Sequence, residues 1–111
     1  MNYKTRLIEP LLLEYVRYFK VVELTGARQV GKSTLLKHLF PDWTMIVFDP
    51  VQDVYGARED PDLFLDNYST PLILDEVQYV PELLSAIKRR VDASDQKGQY
   101  IITGSQQFSV M

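Results

Sequence analysis

The sequence predicts an α/β fold in which helices cover both faces of a parallel sheet. Three observations carry that prediction. Short apolar runs alternate with helical, amphipathic stretches along the chain. Glu23 apart, the runs are continuously apolar and not alternating, as strands covered on both faces require. A glycine-bounded loop, Gly26-Ala27-Arg28-Gln29-Val30-Gly31-Lys32-Ser33, falls between the first run and the next helix. A length of 111 residues leaves room for one domain.

Each element has a local reason. Residues 6–19 are apolar at helical spacing, with Leu12, Val16 and Phe19 on one stripe and Pro10 suited to a first turn. Residues 21–25 are short, β-branched and stopped by Gly26, hence a strand, although Glu23 is out of place in a strand buried on both faces. Residues 33–40 read as a helix with Leu35, Leu36, Leu39 and Phe40 on one face, ended by Pro41-Asp42. Residues 45–48 form a second apolar strand closed by Asp49-Pro50. The polar stretch 51–67, broken by Gly56 and Pro61, suits two short helical turns, the second starting at Asp62 and burying Leu63 and Phe64. Residues 72–74 make a third strand. Residues 82–93 are an amphipathic helix with Leu84, Ile87 and Val91 inward and Pro81 at its start. A turn at Gln96-Lys97-Gly98 leads to a fourth strand, 100–103, stopped at Gly104.

Composition excludes several classes of function. There is no cysteine, so disulfides, thiolate zinc sites and cysteine nucleophiles are ruled out, and one histidine makes no metal cluster. Twelve Lys+Arg against 15 Asp+Glu leave a net charge of −3, which argues against a broad phosphate-binding surface. No apolar run suits a membrane span, and the N-terminus lacks the pattern of a secretory signal, so a cytoplasmic protein is expected.

The loop matches G-x-x-x-x-G-K-[ST] in full (Walker A). A strand that turns sharply into a helix aims consecutive N–H groups inward, making a nest for phosphate oxygens. Gly26 and Gly31 permit that backbone, and residues Ala27, Arg28, Gln29 and Val30 supply the amides between them. Lys32 is expected to reach the β- and γ-phosphates, the Ser33 hydroxyl to meet Mg²⁺, and Thr34 to reach an α-phosphate oxygen. Further on, Leu72-Ile73-Leu74-Asp75-Glu76 is an apolar strand ending in two carboxylates (Walker B). Beside the loop, Asp75 would hold Mg²⁺ through its waters and Glu76 would orient the attacking water. Asp49, also at a strand end, is the rival acid of a kinase-like phosphotransferase, though Asp-Pro also suits a plain turn. The fourth strand ends Thr103-Gly104-Ser105, with Ser105 the candidate to sense the γ-phosphate and Thr103 the reserve. His38 reads as a surface or half-packed helix residue and Lys88-Arg89-Arg90 as a solvated face, with a partner or nucleic-acid contact the minority reading.

Three blocks, Leu24 to Ser33, Leu74-Asp75-Glu76-Val77-Gln78 and Ile102-Thr103-Gly104-Ser105-Gln106-Gln107-Phe108, resemble a prokaryotic family of ATP-binding proteins. Its members carry an N-terminal AAA+-type ATPase domain and a C-terminal domain of unassigned role whose fold resembles nucleases. Ala27 stands where the family more often has proline. The resemblance implies an AAA+/ASCE-type P-loop NTPase with strand order 5-1-4-3-2, ATP as substrate and Mg²⁺ as cofactor. Because the family continues further, the expectation is a domain truncated after the fourth strand: a helical segment over 1–20 and a nucleotide-binding core over 21–111. Its partners would be nucleotide, the missing C-terminal part and, through an open sheet edge, further copies of itself. Turnover by this stretch alone is expected to be slow or absent. The alternatives are a module that holds nucleotide without turnover and the Asp49 phosphotransferase.

Overall fold

The structure, a computed structural model, describes residues 3–25 and 31–104, with side chains from residue 8 onward. The apolar runs become four strands: β1 Val21–Thr25, β2 Thr44–Val47, β3 Leu72–Asp75 and β4 Tyr100–Gly104. All pair in parallel, in the order β1-β4-β3-β2. β4 therefore inserts between β1 and β3, as expected from the family resemblance.

Among the described residues, four α-helices connect and cover the strands: α1 Tyr3–Tyr18, α2 Lys32–Leu39, α3 Pro61–Asn67 and α4 Glu82–Asp92. Successive strand residues face opposite ways, and here both directions are apolar. Val22, Ile73 and Ile101 pack with Leu12 of α1 and Leu35 and Leu36 of α2. Leu72, Leu74 and Ile102 pack on the other face with Phe64 and Leu65 of α3 and Leu83 and Ile87 of α4. Glu23 apart, the runs are largely apolar because each strand serves two cores.

Glu23 now has a physical account. Among the described residues β1 lies at the sheet edge and Glu23 on it is exposed, so the charge reaches water. A charged residue on a strand edge also discourages unwanted pairing.

Several local expectations are corrected. α1 begins at Tyr3, so Pro10 lies inside the helix and not in its first turn. Phe19 follows the helix end and is 54% exposed, its ring set edge-on to Tyr15 and away from the core stripe. Residues 51–60 form turns and no helix before α3. At α3 the Asp60 side chain accepts the Leu63 N–H at 3.1 Å and Pro61 takes the first turn. That start sets the helix phase: Phe64 and Leu65 turn inward, and Leu63 is 55% exposed. On α4, Leu83 and Ala86 join Ile87 in the core, while Leu84 and Val91 are half-buried.

The basic run on α4 is partly neutralised. Arg89 bonds both Asp62 carboxylate oxygens at 3.0 and 2.8 Å, and Arg90 bonds Asp66 at 2.6 Å, tying α4 to α3. Gly98 sits where α1 meets the start of β4. Its φ is +64°, and a Cβ there would lie 2.8 Å from the Val16 carbonyl oxygen, so glycine is required on both grounds. No described helix is long and apolar enough to cross a membrane.

Candidate functional site

Parallel strands bring their carboxyl ends to one edge, and β3 and β4 carry polar side chains there. The Leu74–Ile102 register sets Asp75 beside Thr103. By strand alternation both share the face of Ile73 and Ile101, the one covered by α2. Asp75 is 2% exposed and Thr103 fully buried. A buried carboxylate is tolerable only with hydrogen-bond donors, and Asp75 has them on both oxygens. Ser33 Oγ donates to Asp75 Oδ2 at 2.5 Å. Thr103 Oγ1 donates to Asp75 Oδ1 in a short bond.

The Thr103 hydroxyl also accepts the Glu76 N–H at 3.1 Å. One hydroxyl thus serves both acids, as donor to the first and acceptor from the backbone of the second. Glu76 caps a 3-10 turn, Val77–Tyr79, with φ 64° and ψ 46°. This left-handed backbone costs a non-glycine residue roughly 1–2 kcal/mol. Such strain concentrates at functional sites, where the surroundings over-determine it. The half-buried Glu76 side chain is met by Gln78, whose Nε2 donates to Oε1 at 2.7 Å.

On the helix side, Gly31 precedes α2 with φ 74°. Nothing lies within 4 Å of a Cβ built there, so the backbone angle, not space, calls for glycine. Lys32 opens the helix and is 4% exposed, Ser33 is half-buried and Thr34 exposed. The expected ligands Gly26, Ala27, Arg28, Gln29 and Val30, and the expected sensor Ser105, lie outside the described residues.

The donor set suits a hard cation. Ser33 and Asp75 present a hydroxyl and a carboxylate oxygen within one hydrogen bond of each other. Among the described residues no three His, Cys, Asp or Glu side chains gather, so the pair would supply a minority of the ligands. Mg²⁺ is commonly bound this way, by one or two carboxylates with water and substrate phosphates completing the shell.

Asp49 is occupied differently. Its carboxylate accepts the N–H groups of Val51 at 3.0 Å and Gln52 at 2.9 Å, an Asx turn. Those bonds, Gln52 first, hold its carboxyl below the ordinary 3.8, with the Arg58 charge adding to them. The plain turn thus accounts for this acid.

Three side chains hold these segments through contacts that the sequence does not mark. The sequence offers Thr103 only as a reserve sensor of the γ-phosphate and does not show that it bonds Asp75 and Glu76. Gln78 stood two residues past the pair with no motif to mark it. Arg58, in a polar loop, carried no sequence signal at all.

A family model described as an AAA domain matches residues 18–111. An uncharacterized protein of Mycobacterium bovis and one of Mycobacterium tuberculosis are each 35% identical over 86 residues. The match takes in 77% of this chain and 20% of either protein, so the chain spans about a fifth of the curated relatives it matches. A chain solved in work on DNA unwinding at forked double-stranded DNA by two coordinating Pif1 helicases is similar in fold. Its TM-score is 0.52 at 22% identity, over 95% of this chain and 33% of that one.

Proposed function

The chain belongs to the AAA domain family, and from that premise we propose that it binds Mg-ATP at the carboxyl edge of its sheet, as the core of an ATP-hydrolysing enzyme. The observation that carries the reading is the 2.5 Å bond from Ser33 to Asp75. It joins the first turn after the glycine loop to the end of a distant strand, where a phosphate-bound cation needs both.

The roles follow from position. Backbone N–H groups of Gly26 to Gly31 cradle the phosphates, and Lys32 sets its charge against them. Thr34, one position after Ser33, reaches the α-phosphate. Ser33 and Asp75 hold Mg²⁺, which when bound supplies positive charge against the phosphate oxygens. Thr103 keeps the Asp75 carboxylate turned towards Ser33. Glu76 orients the attacking water and takes its proton, while Gln78 limits the directions its carboxylate can point. Ser105, next in sequence after Gly104, takes the proposed role of γ-phosphate sensor.

Nucleic acid is not proposed as a ligand of the α4 basic run, because Arg89 and Arg90 are paired with Asp62 and Asp66. The test is phosphate release by the full-length protein and its Glu76→Gln variant. The reading expects Glu76→Gln to bind Mg-ATP as tightly as the parent and to turn over about 10²-fold or more slowly. Equal rates in the two would contradict it.

A further inference from the structure

The Glu76 turn is held from a second side, by a residue that no motif marks. Among the described residues, the Arg58 guanidinium donates to backbone carbonyls of two separate segments. Nε donates to the Tyr79 carbonyl at 2.8 Å, Nη2 donates to the Asp49 carbonyl in a short bond, and Nη1 lies 3.5 Å from the Val51 carbonyl. The Arg58 backbone is itself pinned, its N–H donating to the Asp53 carboxylate at 3.1 Å. Tyr79 closes the Glu76 turn, its N–H donating to the Glu76 carbonyl at 3.2 Å.

We propose that Arg58 is a positioning residue for hydrolysis, clamping the loop after β2 to the turn that aims Glu76; this rests on the role given to Glu76 above. The reasoning is mechanical. The left-handed Glu76 backbone is unfavourable alone and must be held. Thr103 holds its N–H, and the Tyr79 peptide holds its carbonyl. Arg58 fixes the next peptide at its oxygen, the Tyr79 carbonyl, while that peptide's Val80 N–H donates to the Val77 carbonyl at 2.9 Å. A rigid planar donor set suits the task better than an ammonium, because two carbonyls from separate segments are fixed at a set spacing. Arg58 does not reach the Ser33–Asp75 pair, so its loss should spare nucleotide binding.

The test uses the full-length protein with Arg58→Met, Arg58→Lys and both in a Glu76→Gln background. Two readouts are taken: amide hydrogen exchange of residues 76–80, and steady-state ATP hydrolysis. The expected result for Arg58→Met is exchange at Tyr79 and Val80 at least tenfold faster, with β4 amides unchanged. The kcat should fall about tenfold while KM stays within twofold, and the Glu76→Gln background should show no further loss of rate. Arg58→Lys should fall between parent and Met, and serves if the Met variant does not fold. Unchanged exchange at Tyr79 and Val80 would overturn the clamp, as would a rate loss that persists at full size without the Glu76 carboxylate. If the parent protein hydrolyses no ATP, the hydrolysis reading fails, and exchange alone decides whether the clamp exists.

Discussion

Ser33 and Asp75 lie 42 residues apart in the chain, and the Ser33 hydroxyl donates to the Asp75 carboxylate at 2.5 Å. Both Asp75 oxygens accept hydroxyl donors, one from Ser33 and one from Thr103. Asparagine can accept at only one such position, because its other terminal atom is a donor. Asp75→Asn is therefore expected to lower stability by about 1–3 kcal/mol, since a buried donor loses its acceptor. It should also abolish the gain in ATP affinity that Mg²⁺ brings. Thermal unfolding and titrations with and without Mg²⁺ read the two effects. An undiminished Mg²⁺ gain would remove Asp75 from the proposed cation site.

Thr103 gives a sharper comparison. Thr103→Val keeps the shape and removes the hydroxyl, leaving the Glu76 N–H without its acceptor and Asp75 short of a donor. A loss of about 1–3 kcal/mol is expected in thermal unfolding, together with slower hydrolysis. Thr103→Ser keeps the hydroxyl and should restore most of the rate. Matching rates for the Val and Ser variants would mean that this hydroxyl has no positioning role.

Glu76 pays in backbone strain for its place. Glu76→Gly should remove that strain, with stability rising by up to about 1 kcal/mol while hydrolysis disappears. A denaturant midpoint that moves down, with an unchanged slope, would show that the left-handed turn is not the cost it is taken to be.

How much of this was legible in the sequence depended on what each feature needs. The glycine loop and the Asp75-Glu76 pair are local strings that end or begin elements, so spacing alone marked them. The insertion of β4 between β1 and β3 followed from the family resemblance. Leu63 and Phe19 went wrong because helix phase depends on where the helix starts or stops, and Asp60 and Tyr18 set those points. The sequence offers Thr103 as a reserve sensor, but the contacts of Thr103 and Arg58 are illegible for another reason. Their partners are fixed by strand register and by loop backbone, neither of which a side-chain pattern records.

Asp49 offers a pH-dependent check. Its folded pKa is lowered by the Gln52 and Val51 N–H groups, then by the Arg58 charge. A lowered acid contributes stability above its unfolded pKa, and the contribution is lost as pH falls through the lower folded value. A carboxyl titration followed by NMR should place its midpoint below 3.8. Asp49→Asn should leave ATP turnover unchanged, since its turn bonds involve no substrate. Loss of turnover on that substitution, with Glu76→Gln still active, would revive the phosphotransferase reading.

The central claim is that the first turn of α2 and the end of β3 together hold Mg-ATP. Calorimetric titration of ATP with and without Mg²⁺, on the full-length protein and its Lys32→Ala variant, tests it most directly. The expected result is Mg²⁺-enhanced binding to the parent and none measurable in the variant, whose unfolding temperature and far-ultraviolet circular dichroism match the parent. Equal affinity in the two proteins would contradict the claim.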